Sequence, residues 1–327
     1  MAVLAALFFG FAPMFLFAAI LYWLDRYEKE PLLLLGAVFL WGMLVAAGGA
    51  FIFNTIFGIG VYFVTGSEIA GDFATGTVSA PFVEEGLKGL AVLLVFLAFR
   101  NEFDSLLDGI IYAGVAALGF AATENSLYIW RGFETGGWAG LFHLAFVRVI
   151  LVGWQHPFFT SFTGIGLAIA RLNRPTWIRI AAPLTGWGTA MLAHSIHNLL
   201  SSFSGLICVL GTLLDWTGVL FMFVVILWAT WMEQRNMITQ LREEVQLGTI
   251  SAAQYRTACS AWAQTFARLG SLLNARFLAT TRFYQACGKL AHKKEQLLKL
   301  GEEQGNSALV QKYRAELARL SPQAQVA

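Results

Sequence analysis

The chain has 327 residues, of which 57% are hydrophobic and 13% charged, with a formal net charge of +2 and a mean hydropathy of +0.63. Soluble domains carry about 25% charged residues, so this composition excludes a soluble enzyme and indicates a polytopic membrane protein. The charge is unevenly divided: residues 1–232 hold 9 Lys and Arg against 13 Asp and Glu, whereas residues 233–327 hold 13 against 7, so a membrane part at −4 joins a tail at +6.

Apolar runs near 2–24, 32–57, 79–99, 106–130, 141–170, 179–200 and 206–231 each offer about the 20 residues that a membrane helix needs. The first lacks a basic leader and is too long for a signal-peptide core, so it reads as a span. The predicted fold is all-α: a transmembrane helical bundle of about seven spans, or eight, over residues 1–232, and a basic helical tail over 233–327. The glycine-rich 57–79 region has room for a short re-entrant piece, and 141–170 is long enough to be broken.

Positive charge sets the expected orientation, because cytoplasmic connections are enriched in Lys and Arg. Arg26 and Lys29, Arg100, the group Arg171, Arg174 and Arg179, and the tail from Arg235 fall on alternate connections. The opposite connections hold Arg131 beside Glu134, and otherwise Glu68, Asp72 and Asp215. The expectation is a multi-pass protein of the cell membrane with its N-terminus outside and its C-terminus in the cytoplasm.

Against this apolar background the polar residues stand out. Glu84, Glu85 and Lys88 lie in the third run, Glu124 in the fourth, His156 in the fifth, and His194 and Asn198 in the sixth. One ionisable side chain near the centre of a membrane helix costs about 2.5–3.5 kcal/mol on insertion scales, so three on one helix read as a functional site. With the expected orientation, Glu84, Glu85, Glu124 and His194 fall in the outer half of the membrane. His156 reaches that depth only if the start of its span is tilted or interfacial. Residues three or four apart share a helix face, which groups Glu84 and Glu85 with Lys88, Phe120 with Glu124, and His194 with Asn198. Carboxylates, a cation and two imidazoles supply either the ligands of a divalent metal such as zinc or a general base with polarising donors around a water.

The motifs Glu84-Glu85-Gly86-Leu87-Lys88, Phe120-Ala121-Ala122-Thr123-Glu124-Asn125, His156-Pro157-Phe158-Phe159-Thr160 and His194-Ser195-Ile196-His197-Asn198 occur in this order on successive spans. In this the chain resembles the PrsW-type intramembrane proteases over about residues 80–200. That family is distantly similar to the membrane endopeptidases of CAAX-type prenylated proteins and to bacteriocin-immunity proteins. Those usually carry His where Glu124 stands and Arg in place of Lys88. The resemblance implies hydrolysis of a peptide bond in a membrane-anchored protein such as an anti-sigma factor, near the outer leaflet. Two versions stay open. In one, Glu124, His156 and His194 ligate zinc while Glu84 or Glu85 activates water. In the other, metal-free, Glu84 is the base, Glu124 helps hold the water, and His194 and Asn198 stabilise the oxyanion.

Each residue also has a plainer reading. Glu84, Glu85 and Lys88 could form a structural ion-pair cluster, and the carboxylates could relay ions or protons in a coupled transporter; no inverted repeat supports the latter. A non-catalytic scaffold is the third class. His143 reads as an interfacial residue, His197 as packing or support for a ligand, and His292 as part of a solvated basic face. Asp104 and Asp108 read as loop or cap residues. Cys208, Cys259 and Cys287 are widely spaced and lack a CxxC, so they read as packing thiols. The tail reads as two to four amphipathic helices. It either forms a small solvated hairpin that dimerises or stiffens the protein, or contacts anionic lipid through Arg282, Lys289, Lys293 and Lys294. No nucleic-acid motif accompanies its charge.

Overall fold

The structure is a computed structural model, and it describes residues 1–303 and 305–326. Among the described residues every regular element is helical, as the composition predicts. In chain order these are α1 (Ala2–Leu24), α2 (Leu32–Leu40), α3 (Ala47–Thr65), α4 (Glu68–Ala74), α5 (Ala80–Ala98), α6 (Leu106–Ala145), α7 (Gln155–Leu172), α8 (Thr176–Ser201) and α9 (Leu206–Gln240). The tail follows as α10 (Arg242–Gln246), α11 (Ala252–Ala258), α12 (Ala261–Leu272), α13 (Phe277–Leu300) and α14 (Asn306–Leu320).

Among the described residues four helical stretches are long and apolar enough to cross a membrane: Ala2–Leu24, Leu32–Thr65, Leu106–Leu172 and Leu206–Gln246. The third contains two of the expected runs, because α6 reverses where Gly136 and Gly137 leave helical geometry, Gly137 at φ 59°. Its two limbs meet at Gly132 and Gly140, where a Cβ on either would press into the other's carbonyl oxygen. The expected break in 141–170 is also present: a π-helical turn, Phe146–Leu151, ends at Val152 and α7 starts afresh at Gln155. In the 57–79 region Gly66 ends α3 in the left-handed conformation, and Ser67 caps the short α4 by accepting from the Ala70 amide.

The molecule divides into two compact units, Met1–Trp23 with Pro31–Arg171 and Pro175–Ile226, and Leu24–Glu30 with Leu172–Arg174 and Leu227–Ala327. In the first unit α6 is the central pillar, with every residue from Leu107 to Ala122 buried. Its start is fixed by a reciprocal cap: Ser105 Oγ accepts from the Asp108 amide, and the Asp108 carboxylate accepts from the amides of Asp104 and Ser105. Small residues let helices cross closely on this pillar, as membrane helices do in general. Among the described residues three π turns interrupt the regular helices, at Trp41–Ala46, Thr75–Ser79 and Phe146–Leu151. Two of them offer a backbone carbonyl to a side chain of another helix: Met43 O accepts from Thr123 Oγ1 at 2.9 Å, and Gly76 O from Asn198 Nδ2 at 2.8 Å.

The second unit packs α13 against α14 around Phe283, Tyr284, Cys287, Leu290 and Leu317. Two expectations are corrected here. His292 and Lys293 are buried rather than solvated, because the wheel of α13 turns them inward with Tyr284 and Leu290. Lys294 is likewise taken up inside the protein, donating to Gln240 O and to the carboxylates of Glu243 and Glu244. Of the four cations expected at a lipid surface, Arg282 is the exposed one.

Candidate active site

Helix α5 shows how an otherwise apolar helix carries three charges. Glu84, Glu85, Lys88, Val92 and Val95 lie on its buried stripe, while Phe82, Leu90, Leu94 and Leu97 face outward. The charges are therefore hidden from lipid, and their solvation comes from one another and from neighbouring helices. Lys88 Nζ lies 2.6 Å from Glu85 Oε1 and 3.8 Å from Glu84 Oε2, 3.3 Å from His156 Nδ1, and 4.4 Å from the ring centre of Phe120. The Phe four residues before Glu124 thus provides a π-face for the ammonium.

Glu85 is fully engaged. Besides Lys88 it faces His194 Nδ1 at 2.9 Å and accepts from Thr160 Oγ1 at 2.7 Å. Glu84 differs in that its Oε2 is buried and has no hydrogen-bond partner, with His194 Nε2 3.9 Å away. An unpartnered buried carboxylate oxygen is costly, and a group of this kind marks a place where a ligand, an ion or water is expected. The His194 ring stacks on Phe159 at 5.0 Å, and its centroid lies 5.3 Å from that of His156.

His156 stands at the first turn of α7, immediately after the helix is interrupted, beside Lys88 of α5 and His194 of α8. Its Nε2 is 2.9 Å from Glu124 Oε2. Glu124 is also paired with Arg148, which rises from the third π turn, donates through Nε to Asn125 Oδ1 at 2.8 Å and covers the ring of Tyr128 at 4.4 Å. The structure therefore gathers Glu84, Glu85, Lys88, Glu124, His156 and His194 into one cluster, with Asn198 beside it and turned to Gly76.

The donors that converge are not the trio expected from the sequence. Ligand atoms of Glu84, His156 and His194, all buried, lie within 4.8 Å of one another. Glu124 is instead held by the Arg148 cation and by His156 Nε2. A cavity of about 1000 Å³ opens on the cluster and is lined by Glu84, Glu124, Arg148, His156, His194 and Asn198; it also reaches Glu68 and Asp72 on the α3–α4 side.

A second network supports the first. Asp215 was expected on a connection but lies inside α9, buried, where its Oδ2 meets His197 Nδ1 at 2.7 Å and accepts from Gln155 Nε2 at 2.9 Å. Gln155 precedes His156 and His197 follows His194 by three residues, so one carboxylate ties together the two helices that carry the imidazoles. Asp215 and Arg148 were detectable as lone charges in apolar runs; nothing in the sequence singled out Thr160. His143 is exposed on the second limb of α6.

The model of a family described as PrsW family intramembrane metalloprotease matches residues 30–230, more than half of the chain and all of the cluster. The chain belongs to the PrsW family of membrane-embedded proteases. Relatives named Protease PrsW include one from Geobacillus kaustophilus, 32% identical over 158 residues, and one from Bacillus subtilis, 27% identical over 226 residues. The first alignment spans 47% of this chain and 62% of the relative, just under two thirds; the second spans 67% and 88%. No solved structure matches the chain. The PrsW resemblance read from four short motifs is thus supported over a longer stretch, which also includes α2, α3 and most of α9.

Proposed function

We propose that this PrsW-family chain is an intramembrane endopeptidase that hydrolyses a peptide bond of a membrane-anchored protein, such as an anti-sigma factor, near the outer leaflet. The observation that carries the reading is the buried Glu84 carboxylate, which lines a large cavity with one oxygen unpartnered and two imidazoles within reach. A transporter would require polar groups along a path through the membrane, whereas these converge on one cluster.

Glu84, His156 and His194 have the make-up of a catalytic zinc site, one carboxylate and two imidazoles with a position left open, and zinc would bind there by displacing Lys88 from His156 Nδ1. When bound, zinc would polarise the scissile carbonyl and acidify water. The chain's own residues supply the rest. Glu85 accepts the Nδ1 proton of His194 and so turns Nε2 toward Glu84, the orienting role carboxylates play behind metal-binding histidines. Thr160 and Lys88 fix Glu85 in turn. Glu124, on the cavity wall and outside the donor trio, is placed to take the proton of the attacking water and pass it to the departing amine nitrogen. This exchanges the roles that the sequence reading gave to Glu84 and Glu124. Arg148 and Asn198 are donors on the same wall for the carbonyl oxygen as it gains charge.

A second reading is favoured by Lys88. Its ammonium already lies among Glu84, Glu85 and His156, where it supplies positive charge without a metal. In that version Glu84 is the base, and Lys88 and His194 polarise the site.

The test is cleavage of a panel of single-span substrates in proteoliposomes, with the scission sites mapped by mass spectrometry. It is paired with impermeant-thiol labelling of cysteines placed at Ser67, Gly136 and Asn173 in a Cys-free background on intact cells. The reading expects labelling at 67 and 136 but not at 173, and scission near the outer surface. Labelling at 173 alone would invert the topology and overturn the outer-leaflet assignment.

A further inference from the structure

Helix α12 is built inside out. Its buried face carries Gln264, Ala267 and Ser271, while Trp262, Phe266, Leu269 and Leu273 form an exposed stripe at 63%, 62%, 54% and 91% of full accessibility. The polar face is satisfied within the protein: Gln264 Nε2 donates to Ala258 O at 2.8 Å, and Arg268 donates to Gln264 Oε1 at 2.9 Å. A helix that spends its polar residues inward and shows aromatics and leucines outward is unstable against water unless something apolar covers it.

Two contacts fix the level at which α12 begins. The Arg26 guanidinium, two residues beyond the end of the α1 span, lies 5.4 Å from the Trp262 ring centre. Gln234 Nε2, one turn beyond the exposed Trp231 of α9, donates at 2.9 Å to Cys259 O, just before the Ser260 cap of α12. Trp231 itself lies under the Arg235 guanidinium at 4.8 Å, the aromatic-plus-cation pairing that marks a membrane surface. Both contacts lie within the second unit, so the start of α12 is tied to the 231–235 stretch of α9. The exposed stripe continues past the helix through Leu278 and is flanked by the exposed Arg276 and Arg282.

We infer that α12 is an interfacial helix whose Trp262–Phe266–Leu269–Leu273 face is seated in the lipid surface at the level that Trp231 and Arg235 mark. Apolar residues enter the acyl boundary and flanking arginines remain among the headgroups, as amphipathic helices do when they lie in the interface plane. The tail is thereby held to the membrane by apolar burial as well as by charge.

The test uses the full chain reconstituted in phosphatidylcholine vesicles, with Cys208 and Cys259 replaced by Ala and the buried Cys287 kept. Phe266→Cys, and separately Leu273→Cys, each carry a bimane fluorophore. Both positions are exposed, so neither substitution disturbs packing. The expected result is quenching by lipid nitroxides near the headgroup that exceeds quenching by aqueous iodide about twofold or more. Strong iodide quenching with no effect of nitroxide lipid at both positions would overturn the assignment. So would disulfide crosslinking between copies through Phe266→Cys at high lipid dilution, which would give the stripe to a second copy of the chain.

Discussion

His194 Nδ1 lies 2.9 Å from Glu85 Oε1, and this contact decides which nitrogen of His194 faces the cavity. Glu85→Gln keeps the side-chain shape but can no longer hold the proton on Nδ1 by charge. The expected outcome is a metal affinity about 10–100-fold weaker, measured by competition with a chromogenic chelator, in a protein that still inserts. Unchanged affinity would remove Glu85 from the orienting role.

Lys88 neutralises two buried carboxylates, so Lys88→Met leaves them facing each other. Losing one partner of a buried pair costs about 3–5 kcal/mol, which should appear as a lower Tm in detergent. A divalent ion can replace the missing charge, and added zinc is expected to restore most of the loss in this variant. A loss that zinc leaves unchanged would separate Lys88 from the proposed metal position.

Asp215 joins Gln155 and His197. Asp215→Ala strands the buried Gln155, at a cost of about 1–3 kcal/mol, and frees the half-buried His197. Cleavage should fall through kcat with KM nearly unchanged, because the substrate cavity is intact while the imidazoles are loosened. Asp215→Asn, which keeps a hydrogen-bonding oxygen, should recover part of the rate.

In the tail, Glu244 is fully buried between Lys294 and Arg314, at 3.0 and 2.8 Å. Burial alone would raise its carboxyl pKa, but the hydrogen bonds from Arg314 and Lys294 and their charges outweigh it, so the group is held below the ordinary carboxylate value. A lowered folded value means that the stabilisation is complete above the unfolded pKa and is lost as pH falls through the folded one. Hydrogen exchange in α13 and α14 should therefore be slow at pH 7 and accelerate below about pH 4. In Glu244→Gln that acid dependence should largely disappear.

Much of the site was legible because charge inside an apolar run has no cheap explanation. Glu84, Glu85, Lys88, Glu124, His156 and His194 all announce themselves in this way, and their order supplied the PrsW resemblance. The pairing among them was not legible. Glu84 lies with His156 and His194, while Glu124 is paired with Arg148 from the π turn inside the 141–170 run. The same limit applies to the tail. Charge counts made Lys293 and Lys294 look like a lipid-facing surface, but the direction a lysine takes on a helix depends on what packs behind it. Here Tyr284 and Leu290 draw that face inward.

The central claim is that Glu84 is the carboxylate on which the chemistry depends, and one comparison tests it most directly. Wild type, Glu84→Gln and Glu124→Gln are purified, checked for helicity and size, and assayed in parallel for bound zinc and for cleavage of a reconstituted single-span substrate. The zinc account predicts that Glu84→Gln loses both metal and cleavage, whereas Glu124→Gln keeps the metal and loses cleavage. No stoichiometric metal in an active wild type would select the metal-free reading, in which Glu84→Gln is still inactive. Cleavage at the wild-type rate by Glu84→Gln would contradict the account in either form.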